Sequence, residues 1–211
     1  NDGKRSGAFS AGCYTGKPYI LTNYKEDVID SVFTLIHEGG HSMHSYYSAK
    51  SNPFMNYNYT IFEAEVASTF NEQLLSRYLI SNSKDDKMKA YLLSHELSSL
   101  VATLFRQTMF AEYELLIHEA VERGEVATAE FMRKTYRGLL ESYFGPIMEF
   151  EDISDIECMR IPHFYNAFYV YKYATGISAS IALADKVLNG NEADSNAYLS
   201  FLKSGGSKYP I

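Results

Sequence analysis

Six apolar residues, Val28, Ile29, Val32, Phe33, Leu35 and Ile36, recur at helical spacing and run directly into His37-Glu38-Gly39-Gly40-His41. This pattern predicts a helix with one buried stripe from Glu26 to about Ala49, ended by Asn52-Pro53. On that helix His37 and His41 lie one turn apart on a single face, so both imidazoles can reach one Zn2+ at ~2.0–2.1 Å. Glu38 is rotated about 100° from His37. It is poorly placed as a third ligand and well placed to take a proton from a metal-bound water.

Other residues around this motif refine the reading. Gly39 and Gly40 each cost a helix interior ~1 kcal/mol relative to Ala, so the pair asks for a reason. Close approach of a neighbouring segment or of a substrate would supply one, and a local bend is the alternative. His44 returns to the face of His37 seven residues on and is expected beside the ligands or near a substrate. An H-x-x-H pair of His41 with His44 would leave Glu38 without a role. The extended H-E-x-x-H-x-x-G-x-x-H pattern is excluded, because its Gly and last His positions hold His44 and Tyr47. A third ligand should then come from the next helix, where Glu63, Glu65 and Glu72 are the candidates. Glu65 and Glu72 are seven apart and share a face; Glu63 points elsewhere. The superficially similar Ile117-His118-Glu119 has Glu122 where a second His would be needed. His118 and His95 therefore read as ordinary helix residues.

The rest of the chain is read as mainly α. The first 24 residues are extended, with turn chemistry at Thr15-Gly16-Lys17-Pro18 between two strands of a hairpin. Further helices are expected over Ile61–Leu79, Asp85–Arg123, Thr128–Tyr143, Pro162–Leu188 and Ala193–Lys203. The helix over Asp85–Arg123 exceeds the usual globular length and should be kinked; the one over Thr128–Tyr143 stops at Gly145-Pro146 before an acidic loop, Glu149 to Glu157. No repeat or linker interrupts residues 1–211, so one compact domain is expected.

Composition sets limits on partners. A formal net charge of −7 argues against nucleic-acid binding, which normally needs a basic face. No apolar run approaches the roughly 18–20 residues that span a bilayer, so no membrane partner is expected. Cys13 and Cys158 are the two cysteines, too few for a disulfide framework, and they fit a reducing compartment such as the cytoplasm. The chain opens at Asn1-Asp2-Gly3-Lys4 without Met or a signal sequence, and closes in Lys208-Tyr209-Pro210-Ile211, so it is expected to be part of a longer protein. The oligomeric state is left open.

At this point the sequence resembles the thimet-oligopeptidase family of zinc metallopeptidases, and most closely its oligoendopeptidase F branch. The resemblance covers nearly the whole chain. It rests on Lys17–Asn23 in the hairpin, His37-Glu38-Gly39-Gly40-His41-Ser42-Met43-His44, Glu63-Ala64-Glu65-Val66-Ala67-Ser68, Phe105–Glu112 and Ile161–Gly176. It implies a helical zincin-type catalytic domain with a small N-terminal hairpin and one Zn2+ per chain held by His37, His41 and Glu65. It also implies Glu38 as general base and oligopeptides as substrates. From the last block it implies that His163, Tyr165 and Tyr169, with Tyr173 less clearly, contact substrate and transition state. Tyr165, Tyr169 and Tyr173 follow i, i+4, i+8 on the helix expected from Pro162, and His163 falls off that face. The competing readings are another H-E-x-x-H hydrolase, such as an aminopeptidase, or a metal- or peptide-binding helical module without turnover.

Overall fold

The structure is a computed structural model and describes residues Gly7–Tyr209. The expectations for residues 1–6 and for the closing residues 210 and 211 lie outside the described residues. The protein is mainly α: one two-stranded hairpin and seven α-helices among the described residues, joined by short 3-10 turns. It divides into two compact units, one running up to Glu96 and resuming at Gly176, the other spanning Leu97–Thr175.

In the first unit β1 (Phe9–Cys13) and β2 (Gly16–Leu21) pair antiparallel, with Phe9 opposite Leu21 and Ser10 opposite Ile20. Helix α1 (Ile29–Ser51) ends where Pro53 forces Asn52 into extended backbone, at φ −124° and ψ 153°. Helix α2 (Ile61–Asn82) opens on a capping box: the Glu63 carboxylate accepts both the Thr60 N–H and the Thr60 hydroxyl, each at 3.1 Å. Helices α1 and α2 pack along each other, and α7 (Glu192–Ser204) also lies against α1. The apolar core forms where Ala67 and Phe70 of α2 meet Ala184 of α6 (Tyr171–Asn189) and Tyr198 and Leu202 of α7. Phe70 and Tyr198 stack there with ring centres 3.8 Å apart.

The helical run expected over 85–123 comprises α3 (Asp86–Leu100), a π-helical turn over Val101–Phe105, and α4 (Arg106–Glu122). The irregularity anticipated from its length thus takes the form of an i→i+5 turn, in which the Arg106 N–H bonds to the Val101 carbonyl.

In the second unit α4 packs against α5 (Ala129–Phe144), whose first turn is capped by the Thr128 hydroxyl accepting the Phe131 N–H at 3.2 Å. Met109, Phe110, Tyr113, Tyr136, Leu139 and Leu140 form the core with Cys158, Ile161 and Val170. The acidic loop is tied down by α5. Arg133 Nε donates to Asp155 Oδ1 at 2.7 Å, and the Tyr136 hydroxyl donates to Glu157 Oε2 at 2.7 Å.

One expected element is corrected. The helix anticipated from Pro162 to Leu188 is not continuous: a 3-10 turn covers Pro162–Tyr165, and α6 begins only at Tyr171. Between them Phe168 has a left-handed backbone, φ 56°, and its N–H goes to the buried Glu114 carboxylate at 2.9 Å. In an α-helix that N–H would have bonded to the carbonyl four residues back. Glu114 captures it instead, and helix formation is displaced to Tyr171.

Candidate metal centre

The site is built from the contact of α1 with α2. A Cβ on Gly40 would sit 2.5 Å from the Ser68 Cα and closer still to the Ala67 carbonyl oxygen. Only glycine lets the two backbones approach this closely. Gly39, by contrast, has nothing within 4 Å of a Cβ built on it. The glycine pair therefore has one member required by packing and one that faces open space.

That approach brings Glu65 to the two imidazoles. Glu65 Oε2 lies 3.5 Å from His37 Nε2 and 3.9 Å from His41 Nε2, and one donor atom from each of the three residues falls within 4.8 Å of the others. Donors sharing a tetrahedral ion at ~2.0–2.2 Å stand about 3.4 Å apart. The observed separations are slightly wider, so two nitrogens and one carboxylate oxygen fit a single divalent cation. Gly176 supports Glu65 from behind: a Cβ at Gly176 would come 3.0 Å from the Glu65 Cβ. The Ser68 hydroxyl donates to Glu65 Oε2 at 3.2 Å.

Each imidazole is oriented by its own partner. His37 Nδ1 hydrogen-bonds to Glu72 Oε1, leaving Nε2 toward Glu65. The His41 ring hydrogen-bonds to the Ala64 carbonyl. Burial works against protonating His37, but the bond to Glu72 and the charges of Glu72, Glu65 and Glu38 outweigh it and hold its pKa up. At His41 burial prevails, with the neighbouring His37 adding to it, and the pKa falls. Three carboxylates around two rings make a pocket of negative charge suited to a cation.

Glu38 is 6% exposed. Burial raises its carboxyl above the usual range; Glu65 and Glu72 add to this, while His37 and a hydrogen bond from the Ser10 backbone oppose it. Ser10 belongs to β1, and its hydroxyl is also 2.8 Å from the Ser42 hydroxyl of α1. The hairpin is thus anchored to the face of α1 that carries Glu38.

Of the three candidate carboxylates, Glu63 is engaged as the Thr60 cap and Glu72 reaches the far nitrogen of His37. Glu65 alone of the three joins both rings. His44 does not join them. It is 1% exposed and stacks on Tyr59, ring centres 3.6 Å apart and planes within 7°. Desolvation, with His41 adding to it, lowers its pKa to about 4. His95 packs its ring on Phe33 at 4.4 Å.

His163, Tyr165 and Tyr169 lie in the second unit. His163 groups with Tyr169 and Tyr173, ring centres 5.7–5.9 Å apart, and the two tyrosine hydroxyls are 3.5 Å from each other. Tyr165 stands apart, 85% exposed at the end of the 3-10 turn. The helical i, i+4, i+8 face expected for Tyr165, Tyr169 and Tyr173 is therefore corrected, because residues 166–170 are not helical. His163, off the expected face, is the residue that joins Tyr169. Two contributors were missed in the sequence. The Ser10 N–H carried no side-chain signal, whereas the Thr60-x-x-Glu63 capping box was readable and would have removed Glu63 from the ligand candidates.

A sequence model of peptidase family M3 matches residues 1–211. An oligoendopeptidase F homolog of Borreliella burgdorferi is 53% identical over 211 residues, covering 100% of this chain and 36% of that protein. Oligopeptidase PepF of Bacillus subtilis is 49% identical over 211 residues, covering 100% of this chain and 31% of that protein. The crystal structure of oligoendopeptidase-F from Enterococcus faecium superposes with a TM-score of 0.74 at 44% identity, covering 87% of this chain and 33% of that one. The chain thus spans about a third of the length of the curated relatives it matches. Among the described residues no helix is long and apolar enough to cross a membrane.

Proposed function

The chain belongs to peptidase family M3, and from that premise we propose that residues 1–211 supply the catalytic domain of a zinc-dependent endopeptidase that cuts internal bonds of oligopeptides. The observation that carries this reading is the convergence of His37, His41 and Glu65 within 4.8 Å, beside a buried Glu38. Those three residues would hold the ion, one per chain. When bound, a divalent cation acts as a Lewis acid that polarises the scissile carbonyl and makes water a better nucleophile.

The chain's own groups do the rest. A Glu38 carboxylate oxygen accepts the proton of the attacking water and later passes it to the leaving amine nitrogen. Burial suits Glu38 to this exchange by making its protonated form accessible. Glu72 keeps the His37 ring turned so that Nε2 faces Glu65. His163, Tyr165 and Tyr169 are assigned from the motif they occupy, as donors to the substrate carbonyl and the developing oxyanion. The unpaired cysteines, Cys13 exposed and Cys158 buried, support a cytoplasmic setting.

The test is a quenched-fluorescence peptide cut internally, run beside metal analysis of the same samples. Glu38→Gln should keep its zinc and lose hydrolysis by about 10²–10⁴-fold; a variant that retains the parent rate removes the general-base role. Tyr165→Phe or Tyr169→Phe should lower kcat by ~10²–10³ while sparing metal content. Blocking the peptide's amino terminus should leave the rate unchanged, whereas an aminopeptidase would stop.

A further inference from the structure

Lys172 belongs to the second unit and follows closely on the candidate tyrosines. It is 3% exposed, whereas a lysine ordinarily carries its charge out to water. It also stands in the first turn of α6, where the helix dipole disfavours a cation. Burial and dipole both count against an ammonium at this position, so its charge should have a use there. The geometry identifies the group it meets. Lys172 Nζ lies 3.2 Å from the centre of the Tyr169 ring, over its face, in a close cation–π pair.

Tyr169 is a side chain that requires such a hold. Its backbone lies between the 3-10 turn and α6, and its N–H makes a short i→i−3 bond to the Asn166 carbonyl at 3.2 Å rather than an α-helical one. The rings of His163 and Tyr173 stand beside it, at 5.8 and 5.7 Å between centres. The Tyr173 hydroxyl donates toward the Tyr169 oxygen at 3.5 Å, a contact that leaves the Tyr169 proton for another acceptor. Where that proton points depends on the plane of the ring, and a cation on the ring face holds that plane. We propose that Lys172 is a positioning residue for Tyr169: its buried ammonium grips the phenol by its face and fixes the direction in which the hydroxyl donates. This rests on the assignment of Tyr169 as a donor to the substrate carbonyl and adds a residue that acts through that ring.

Two measurements test it on the full chain. The first is NMR of the Lys172 side chain. The ring current of Tyr169 should move the Lys172 ε-methylene protons upfield in the parent and in Tyr169→Phe, which keeps the ring, and leave them at the ordinary lysine position in Tyr169→Leu. This readout needs neither turnover nor a folded Lys172 variant. The second is kcat and KM for the internally cut quenched peptide. Lys172→Met keeps the length of the side chain without its charge and should lower kcat about tenfold, with KM within about twofold. Lys172→Arg keeps a cation and should hold most of the parent kcat. In Tyr169→Phe the hydroxyl is already gone, so adding Lys172→Met should lower kcat no further. A lysine that served only folding would cost both backgrounds alike. The proposal is overturned by an ordinary ε-methylene position in the parent, by parent kcat in Lys172→Met, or by an equal loss in the Tyr169→Phe background. If Tyr169→Phe alone keeps the parent kcat, the donor assignment itself fails and the proposal falls with it, an outcome that this single variant tells apart from the others.

Discussion

Two acids, one half-buried and one buried, fix two parts of this molecule at different levels of the chain. On α1, the imidazole of His37 is gripped by Glu72 of α2, and the α1 backbone is already locked against α2 at Gly40. Between Pro162 and Tyr171, Glu114 grips a backbone N–H, that of Phe168, in a segment held by short i→i−3 backbone bonds and not by an α-helix. In the first case the acid trims the aim of a ring whose position the fold already dictates. In the second it directs the path of the chain itself. Losing Glu72 should therefore alter what the site binds, and disturbing Phe168 should alter how the segment folds.

The largest effect tests whether α1 is locked by its backbone. Gly40→Val places a branched side chain against Ala67 and Ser68 backbone atoms that cannot rotate away. Thermal or denaturant unfolding should register a loss on the order of 3 kcal/mol, with divalent-metal binding weakening alongside. Gly39→Ala is the control. Its Cβ meets open space, so it should gain up to about 1 kcal/mol from helix propensity. Equal responses at the two positions would mean that the α1–α2 contact is not set by Gly40.

A further ring on α1 distinguishes the first unit by pH. His44 is buried with its pKa lowered to about 4, from 6.5 when unfolded. Its folded form holds fewer protons than the unfolded form between those values. Its contribution is therefore fully present above pH 6.5 and is lost as pH falls toward 4, at up to about 1.4 kcal/mol per unit and about 3 kcal/mol in total. His44→Phe keeps an aromatic face for Tyr59 but cannot titrate. The difference in unfolding free energy between parent and variant should shrink with falling pH over that window; a flat difference would show His44 to be protonated inside the fold.

Glu72→Gln sharpens the contrast between ring and backbone. The amide can still meet His37 Nδ1 but brings no charge, and losing such an outer partner typically costs 10–100-fold in metal affinity. Competition with a chromophoric chelator would measure this, and the unfolding midpoint of the metal-free chain should barely move. A large drop in that midpoint would make Glu72 a structural residue first.

The same contrast explains what could be read from the residues alone. The His37–His41 pair was legible because a long apolar stripe committed its segment to a helix, and helical spacing then became geometry. The tyrosines had the same spacing, but Asn166 and Phe168 broke the helix that would have given it meaning. Nothing local announces that break, since its cause, Glu114, lies 54 residues away. Glu65 and Glu72 were recognisable as sharing a face. Their division into ligand candidate and ring partner depended on how closely Gly40 lets α2 approach. His44, periodic with His37, went instead into a stack with Tyr59, a contact that spacing cannot encode.

The smallest predicted effect bears directly on the 162–171 segment. Phe168 holds φ 56°, a conformation that costs a non-glycine residue about 1–2 kcal/mol, and its ring, half exposed, lies 4.7 Å from that of His118. Phe168→Gly relieves the backbone but loses that ring contact and frees the unfolded chain, so the terms nearly cancel and stability should change by less than about 1 kcal/mol. Phe168→Val keeps an apolar group but adds β-branching where the left-handed region tolerates it least, and should cost about 1–2 kcal/mol. If the acceptor on Glu114 directs this backbone, the valine variant should unfold more readily than the glycine variant. Equal stability of the two would mean that the φ of Phe168 carries no strain, and that this stretch is shaped by its ring packing rather than by the acid that receives its N–H.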